Sequence, residues 1–401
     1  MPIPKSRVPS SRLSPRQLPE GRTMQVERLK TGDFEEAMET MATAFEFKSP
    51  RDFPMLLPQI YQPTEELMKA IYAIRLDGRI VSAVGVHPRD WQVGDSTLKL
   101  AGIGGVCTLH DYRGKGLMKA IMERCLTDMK AEGFHLSWLG GQRQRYQYYG
   151  YERCGNVYDF DLRVANLRHS RRATPDIRFE PMGGHYVDRV ATARAFHEAK
   201  PIHVRRSQED FVLYLLSGYC EPWFALDSDE NVIGYFAQVD GGVREISSQN
   251  VEVTLDILHA WANYLEQDIH VVVQPDDVSL ARSLGQLAER VSVNATGNWQ
   301  VFDWQATLRA LLEVRRDTQG ISEGKLRIQI DETRLDLEVC ASGVNCLVGE
   351  GPPDLQLTHF DAHRVLFGPT RPGDGAPIPE SARILESWAP LPLGFMRGDS
   401  V

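Results

Sequence analysis

The sequence predicts a mixed α/β fold, and three stretches of the chain predict it. From Tyr72 to Leu109 apolar and polar residues alternate and are punctuated by Asp77-Gly78 and Gly94-Asp95, the pattern of successive antiparallel strands joined by tight turns. After Gly116 the period changes. Leu117, Ile121, Cys125, Leu126 and Met129 recur at helical spacing and stop at Gly133, which is placed to cap a helix. Further on, NVIGYFAQVDGGVREISS reads as a hairpin, VTLDILHAWANYLEQD as an amphipathic helix and IHVVVQP as a buried strand, an echo of the first strand-helix-strand order.

A chain of 401 residues exceeds what one hydrophobic core supports comfortably, so several units are expected. Residues 1–23, rich in Pro, Ser and Arg, read as a flexible tail without the apolar run of a secretory signal. A first α/β unit spans 24–165, opening with the strand MQVERL and a helix from Asp33 to Phe45. The polar, basic NLRHSRRATPDIR reads as a connection into a second unit over 166–303. A third, over 304–401, starts with the helix TLRALLEVRR and continues into two alternating strands, GKLRIQIDETRLDLEVC.

The balance of 54 acidic and 45 basic residues, net −9, provides no positive field for nucleic acid or an anionic membrane and leans toward a cationic partner. No window is apolar for the roughly 18 residues of a membrane span. The six cysteines are dispersed with no C-x-x-C pair, so they are expected as reduced thiols in a cytoplasmic protein.

Chemistry concentrates at Gly105–Met118, where a strand enters a turn and opens directly into a helix. The first N–H groups of a helix have no partner within it, and the helix dipole puts partial positive charge there, so backbone amides can hold a pyrophosphate. Gly114 and Gly116 let that backbone approach closely. A glycine turn by itself also serves ordinary strand-to-helix connections. A second constellation, Tyr146-Gln147-Tyr148-Tyr149-Gly150-Tyr151, follows two elements later; single tyrosines of this kind are commonly core residues.

Arg113-Gly114-Lys115-Gly116-Leu117-Met118 resembles the R-x-x-G-x-G/A signature of GNAT acetyltransferases, with Met118 departing at the last position. That departure, together with Tyr146-x-x-x-Gly150-Tyr151, is similar to the enhanced-intracellular-survival (Eis-like) subgroup. The resemblance covers nearly the whole chain. It implies tandem GNAT domains, the second degenerate, each a mixed, mostly antiparallel sheet flanked by helices, followed by a C-terminal sterol-carrier-protein-like domain. It also implies a homohexamer and a substrate pocket between domains.

The same resemblance implies acetyl-coenzyme A as cosubstrate and direct transfer of its acetyl group to a primary amine of an aminoglycoside, a polyamine or a lysine. Val106, Cys107 and Thr108 would hold the acyl group and developing oxyanion through their backbone. Arg113, Gly114, Lys115, Gly116, Leu117, Met118 and Lys119 would take the phosphate arm, with Gly141 and Gln142 starting the next helix beside it. Tyr146 is the candidate general acid toward the thiolate. The family's base is the C-terminal carboxylate, here that of Val401. The closing residues Phe395–Val401 run past the usual aromatic end, and six residues can displace a terminus by up to roughly 20 Å, so Asp399 or a water chain is the alternative base.

Other features carry less. Arg397-Gly398-Asp399 is read as coincidence. His359 and His363 have the spacing of metal ligands, but no Cys, Asp or Glu pattern completes a site, Phe360–Leu366 reads as a strand, and no metal is assigned. Cys107 lacks an adjacent His and Asp or Asn and is read as a small strand residue. Glu46, Asp52 and Trp91 receive no role in the acceptor pocket. A rival reading is a non-catalytic sensor of acyl-coenzyme A or lipid, which needs the phosphate loop but no placed acid.

Overall fold

The computed structural model describes residues 24–170 and 176–401. The tail over 1–23 and residues 171–175 of the connection lie outside the described residues.

The first sheet takes β1 (Val26–Arg28), β2 (Ile71–Leu76), β3 (Arg79–Val93), β4 (Ser96–Thr108), β5 (Leu136–Leu139) and β6 (Glu152–Cys154). Among the helices that flank it are α1 (Phe34–Ala44), α2 (Leu117–Ala131) and α3 (Arg143–Gln147). β3 and β4 form a long hairpin from Val93↔Ser96 to Ser82↔Thr108, as the alternating pattern requires. β4 and β5 run parallel, joined through α2, whose Leu117, Ile121, Met122, Cys125 and Met129 are all buried. The helical period of this segment is thus the period of its buried face.

β7 (Val157–Leu162) opens a second sheet with β8 (Arg178–Pro181), β10 (Glu221–Leu226), β11 (Val232–Val239), β12 (Gly242–Ser248), β13 (Ile269–Val273) and β14 (Arg290–Asn294), while β9 (Ile202–Val204) pairs with β3 instead. The strand order is β14-β7-β13-β12-β11-β10-β8. A short helix α4 (Phe211–Leu216) precedes β10, and α5 (Val251–Leu265), capped by Asn250 accepting from the Val253 amide, links the parallel pair β12 and β13. That repeats the β4-α2-β5 arrangement.

β15 (Gly297–Val301) returns to the first sheet and inserts between β5 and β6, giving the order β1-β2-β3-β4-β5-β15-β6. Helix α6 (Trp304–Gln319), with Asp303 as its cap, then packs across the β3/β4 face, its Leu308, Leu311 and Val314 joining Trp91, Leu98, Leu100 and Trp299 in one core. β16 (Gly324–Ile330), β17 (Thr333–Cys340), β18 (Gly343–Val348) and β19 (Leu355–Leu357) make a third sheet in the order β18-β17-β16-β19.

One local expectation is corrected: Phe360–Leu366 is no strand but lies in helix α7 (His359–Phe367). Thr358 caps it by accepting from the Asp361 amide, and Ala362, Val365 and Leu366 form its buried face. Among the described residues no helix is long and apolar enough to cross a membrane.

Candidate active site

The pairing of β4 with β5 ends at Ile103↔Leu139, while β4 continues to Thr108 against β3 alone. Beyond Ile103 no strand among the described residues pairs with the edge of β4 that faced β5, so backbone N–H groups there can receive a ligand. A cleft of about 520 Å³ opens at this divergence. Val106–Thr108, the loop residues Arg113, Gly114 and Gly116, and the helix start Leu117–Lys119 line it, so the structure brings most of the expected cofactor residues together.

Gly116 is the N-cap of α2 at φ +78°, a left-handed conformation that a Cβ disfavours. The first helical hydrogen bond is Ala120 N–H to Gly116 C=O at 3.0 Å, which leaves the amides of residues 117–119 without helical partners beside the cleft. Arg113 ties the loop back to the strand, its Nε donating to Thr108 O at 3.3 Å. The Lys115 ammonium lies over the Tyr112 ring, 4.8 Å from its centroid, and is not part of the lining. Lys119 sits 3.7 Å from Glu123.

Gly141, Gln142 and Tyr146 lie outside that lining, whereas Arg145 and Tyr149 belong to it. Gln142 is the N-cap of α3. The loop before it is held by Asn298 of β15, whose Nδ2 donates to Leu139 O at 3.3 Å and Gly141 O at 3.2 Å. Tyr146 is buried and packs on Gly141. Burial raises its phenol above the ordinary tyrosine value, with nearby Arg145 pulling the other way, so at neutral pH it is an O–H donor. Cys107 is buried and its thiol is pushed up to about 12 by burial, so it is not an available thiolate nucleophile.

Val401 also lies outside the lining, against the same strand β4. Its carboxyl group lies over Gly104 so closely that a Cβ on that glycine would stand 2.5 Å from the carboxyl carbon, and its methyls cover Gly102. Gly104 is two residues from Val106, about 7 Å along the strand. The Gln59 side chain holds the last turn, donating to Ser400 O at 2.9 Å. Asp399 is turned away into a buried ion pair with Arg206. Close by, the Tyr61 hydroxyl is buried and has no hydrogen-bond partner among the described residues.

Gln59, Tyr61, Asn298 and Arg206 escaped the sequence reading, since each acts across a long separation. Gly102 and Gly104 did carry a signal: glycines inside a strand mark close approach of another backbone. Trp91 is core, its ring tilted against that of Trp299, and His359 is spent on Gly150 O at 2.8 Å.

Residues 25–154 match the family described as acetyltransferase (GNAT) domain. No curated protein sequence matches the chain. Among solved structures, a GCN5-related N-acetyltransferase from Kribbella flavida is similar with a TM-score of 0.64 at 17% identity, covering 91% of this chain and 95% of that one. Eis1 from Mycobacterium abscessus is similar with a TM-score of 0.65 at 14% identity, covering 94% of this chain and all of the other. A probable N-acyltransferase from Enterococcus faecalis has a TM-score of 0.64 at 16% identity, covering 86% and 90%. At such identities the likeness is one of fold, and it extends over nearly the whole chain. GNAT domains use acetyl-coenzyme A as cosubstrate, and the cleft at the end of β4 has amides suited to its pyrophosphate. Residues 25–154 thus match a GNAT acetyltransferase domain, and nearly the whole chain shares the fold of the solved N-acetyltransferase structures it resembles.

Proposed function

We propose that the chain is an Eis-like enzyme that transfers the acetyl group of acetyl-coenzyme A directly to a primary amine. The observation that carries this is that the cleft between the end of β4 and the helix start at Leu117 lies beside the Val401 carboxyl, which rests over Gly104 of the same strand. The pyrophosphate would sit on the amides of 117–119 and the thioester beside Val106–Thr108 on the bare edge.

In this reaction the amine nitrogen attacks the thioester carbonyl and its proton passes to the Val401 carboxylate. Backbone N–H groups of the β4 edge receive the oxyanion. The C–S bond then breaks, and Tyr146 gives its phenolic proton to the departing sulfur before being reprotonated from solvent. The same proposal includes cytoplasmic location, a degenerate second GNAT unit over 157–294 in place of the expected 166–303, because β7 joins its sheet and β15 joins the first, a sterol-carrier-like third unit over 304–401, and a homohexamer. The β12-α5-β13 repeat supports the second unit, and exposed Leu347 and Val348 on β18 suit burial against another copy.

Thiol release from acetyl-coenzyme A with spermidine, an aminoglycoside or a lysine peptide, compared between wild type and Tyr146→Phe, tests the reading. Amine-dependent release that needs Tyr146 is the expected result. The position of Tyr146 outside the cleft lining favours one rival, binding without turnover. Cofactor binding with no thiol release on any amine would establish that rival.

A further inference from the structure

Tyr146 is buried and lies outside the cleft lining, yet the residue before it belongs to that lining. Helix α3 sorts its side chains by its own period. Arg143 and Gln147, four apart, both turn to the Glu152 carboxylate of β6, at 2.6 and 3.0 Å. Arg145 and Tyr149, also four apart, line the cleft, while Tyr146 packs inward on Gly141. The Arg145 guanidinium is also the hydrogen-bond partner of the Tyr146 hydroxyl. One exposed side chain thus touches both the cleft and the buried phenol.

The wall of the cleft holds cations, Arg113, Lys119 and Arg145, and no carboxylate among the described residues lines it. Arg113 is tied to Thr108 O, and Lys119 lies beside Glu123. Arg145 makes no ion pair with a described carboxylate, because Arg143 takes Glu152 instead. Its charge is therefore available to the cleft.

A guanidinium carries donors only, so in its contact with Tyr146 the phenol oxygen accepts and the O–H is left to donate elsewhere. Tyr149 and Tyr151 are the other titratable groups near that phenol; burial raises both, and Tyr151 donates to Ser137 at 2.8 Å. Arg145 is the charged group acting on Tyr146, and it opposes the burial that raises the phenol.

We propose that Arg145 is the positioning residue of the acid: its guanidinium turns the Tyr146 O–H toward the thioester sulfur and balances the negative charge released there. This inference rests on the acetyltransfer reading. As the C–S bond breaks, its electron pair goes to sulfur. The Tyr146 proton then forms the S–H bond, and the charge passes to the phenol oxygen, where Arg145 holds it until solvent returns a proton. A fixed cation at developing charge lowers the barrier without reorganising. The rival partner for this guanidinium is a phosphate of the cofactor, and the contact with Tyr146 favours the acid.

Arg145→Gln removes the charge at an exposed position, so the fold is expected to stand. Its kcat is expected to fall about tenfold to a hundredfold, with acetyl-coenzyme A affinity unchanged. The pH profile carries the sign. Turnover is lost at high pH as the acid gives up its proton, and Arg145 lowers the pH at which this happens. The alkaline limb therefore moves up in Arg145→Gln, whereas Arg145→Lys, which keeps the charge, stays near wild type. An unchanged kcat or an unmoved limb overturns the proposal. So does a loss of acetyl-coenzyme A affinity that vanishes with S-acetylpantetheine, which lacks the phosphates. A second readout needs no amine: with free coenzyme A bound, thiolate absorbance should place its thiol about one pH unit lower in wild type than in Arg145→Gln. If wild type acetylates no amine, the transfer reading fails, and this titration alone decides for Arg145; equal values in the two proteins overturn its role.

Discussion

Arg206 holds Asp399 through Nε at 2.9 Å and Nη2 at 2.8 Å, and both side chains are sealed from solvent. The other side of the same guanidinium grips Glu245 at 2.8 and 3.0 Å, and Tyr235 donates to Glu245 at 2.8 Å. A strand of the second sheet thus fixes the turn two residues before Val401. Arg206→Met leaves two buried carboxylates without their cation and is expected to cost about 3–5 kcal/mol, read in a urea melt. Asp399→Asn keeps the Glu245 pair, so the fold survives and the effect moves to turnover: kcat falls while acetyl-coenzyme A affinity holds. Unchanged kcat would remove the anchor from the account.

Gly104→Ala tests the Val401 carboxyl directly. The new Cβ would stand 2.5 Å from the carboxyl carbon, so the chain end must move. Misplacing a reacting group by an ångström costs about a hundredfold in rate. Steady-state kinetics beside an acetyl-coenzyme A titration should show that loss in kcat alone, and full turnover would exclude Val401 as the base.

At Gly116 the obstacle to a side chain is conformation, since nothing lies within 4 Å of an added Cβ while φ is +78°. Gly116→Ala is expected to destabilise by about 1 kcal/mol through the left-handed backbone and to weaken acetyl-coenzyme A as the amides of 117–119 shift. Thermal melts and cofactor titration report the two effects separately.

Asp276 gives a pH signature. Burial, reinforced by Asp277, raises its carboxyl from 3.8 to about 7. Between those values the folded chain holds a proton that the unfolded chain has released, so this group's contribution to stability declines as pH rises from 4 to 7 and stays lost above it. The slope is at most about 1.4 kcal/mol per pH unit. Asp276→Asn should flatten it in urea melts at pH 5 and 7.5; identical slopes would contradict the shift.

The strand-to-helix turn and α2 are legible in the sequence because helical period, turn glycines and a strand-to-helix junction are local properties. The hairpin of β3 and β4 was legible for the same reason. Helix α7 is too short for its period to exclude a strand over Phe360–Leu366, although Thr358 with Asp361 three residues on is a helix-start pattern. β15 gave no comparable signal: GNWQV resembles any short strand, and its partners Leu136–Leu139 lie some 160 residues earlier, fixed by register rather than by pattern. The Arg206 and Asp399 pairing is equally remote, and charge type alone names no partner.

The insertion of β15 between β5 and β6 has a consequence for biosynthesis. Val301 pairs with Leu136 and Gly297 with Cys154, so the first sheet lacks the strand that joins β6 to β5 until residues 297–301 emerge. At ordinary translation rates that wait, from Cys154 to Gly297, is roughly 7–30 s. Through it the edge of β5 is unpaired and Trp138 lacks its cross-strand neighbour Trp299, which makes this nascent intermediate the stage most in need of a chaperone.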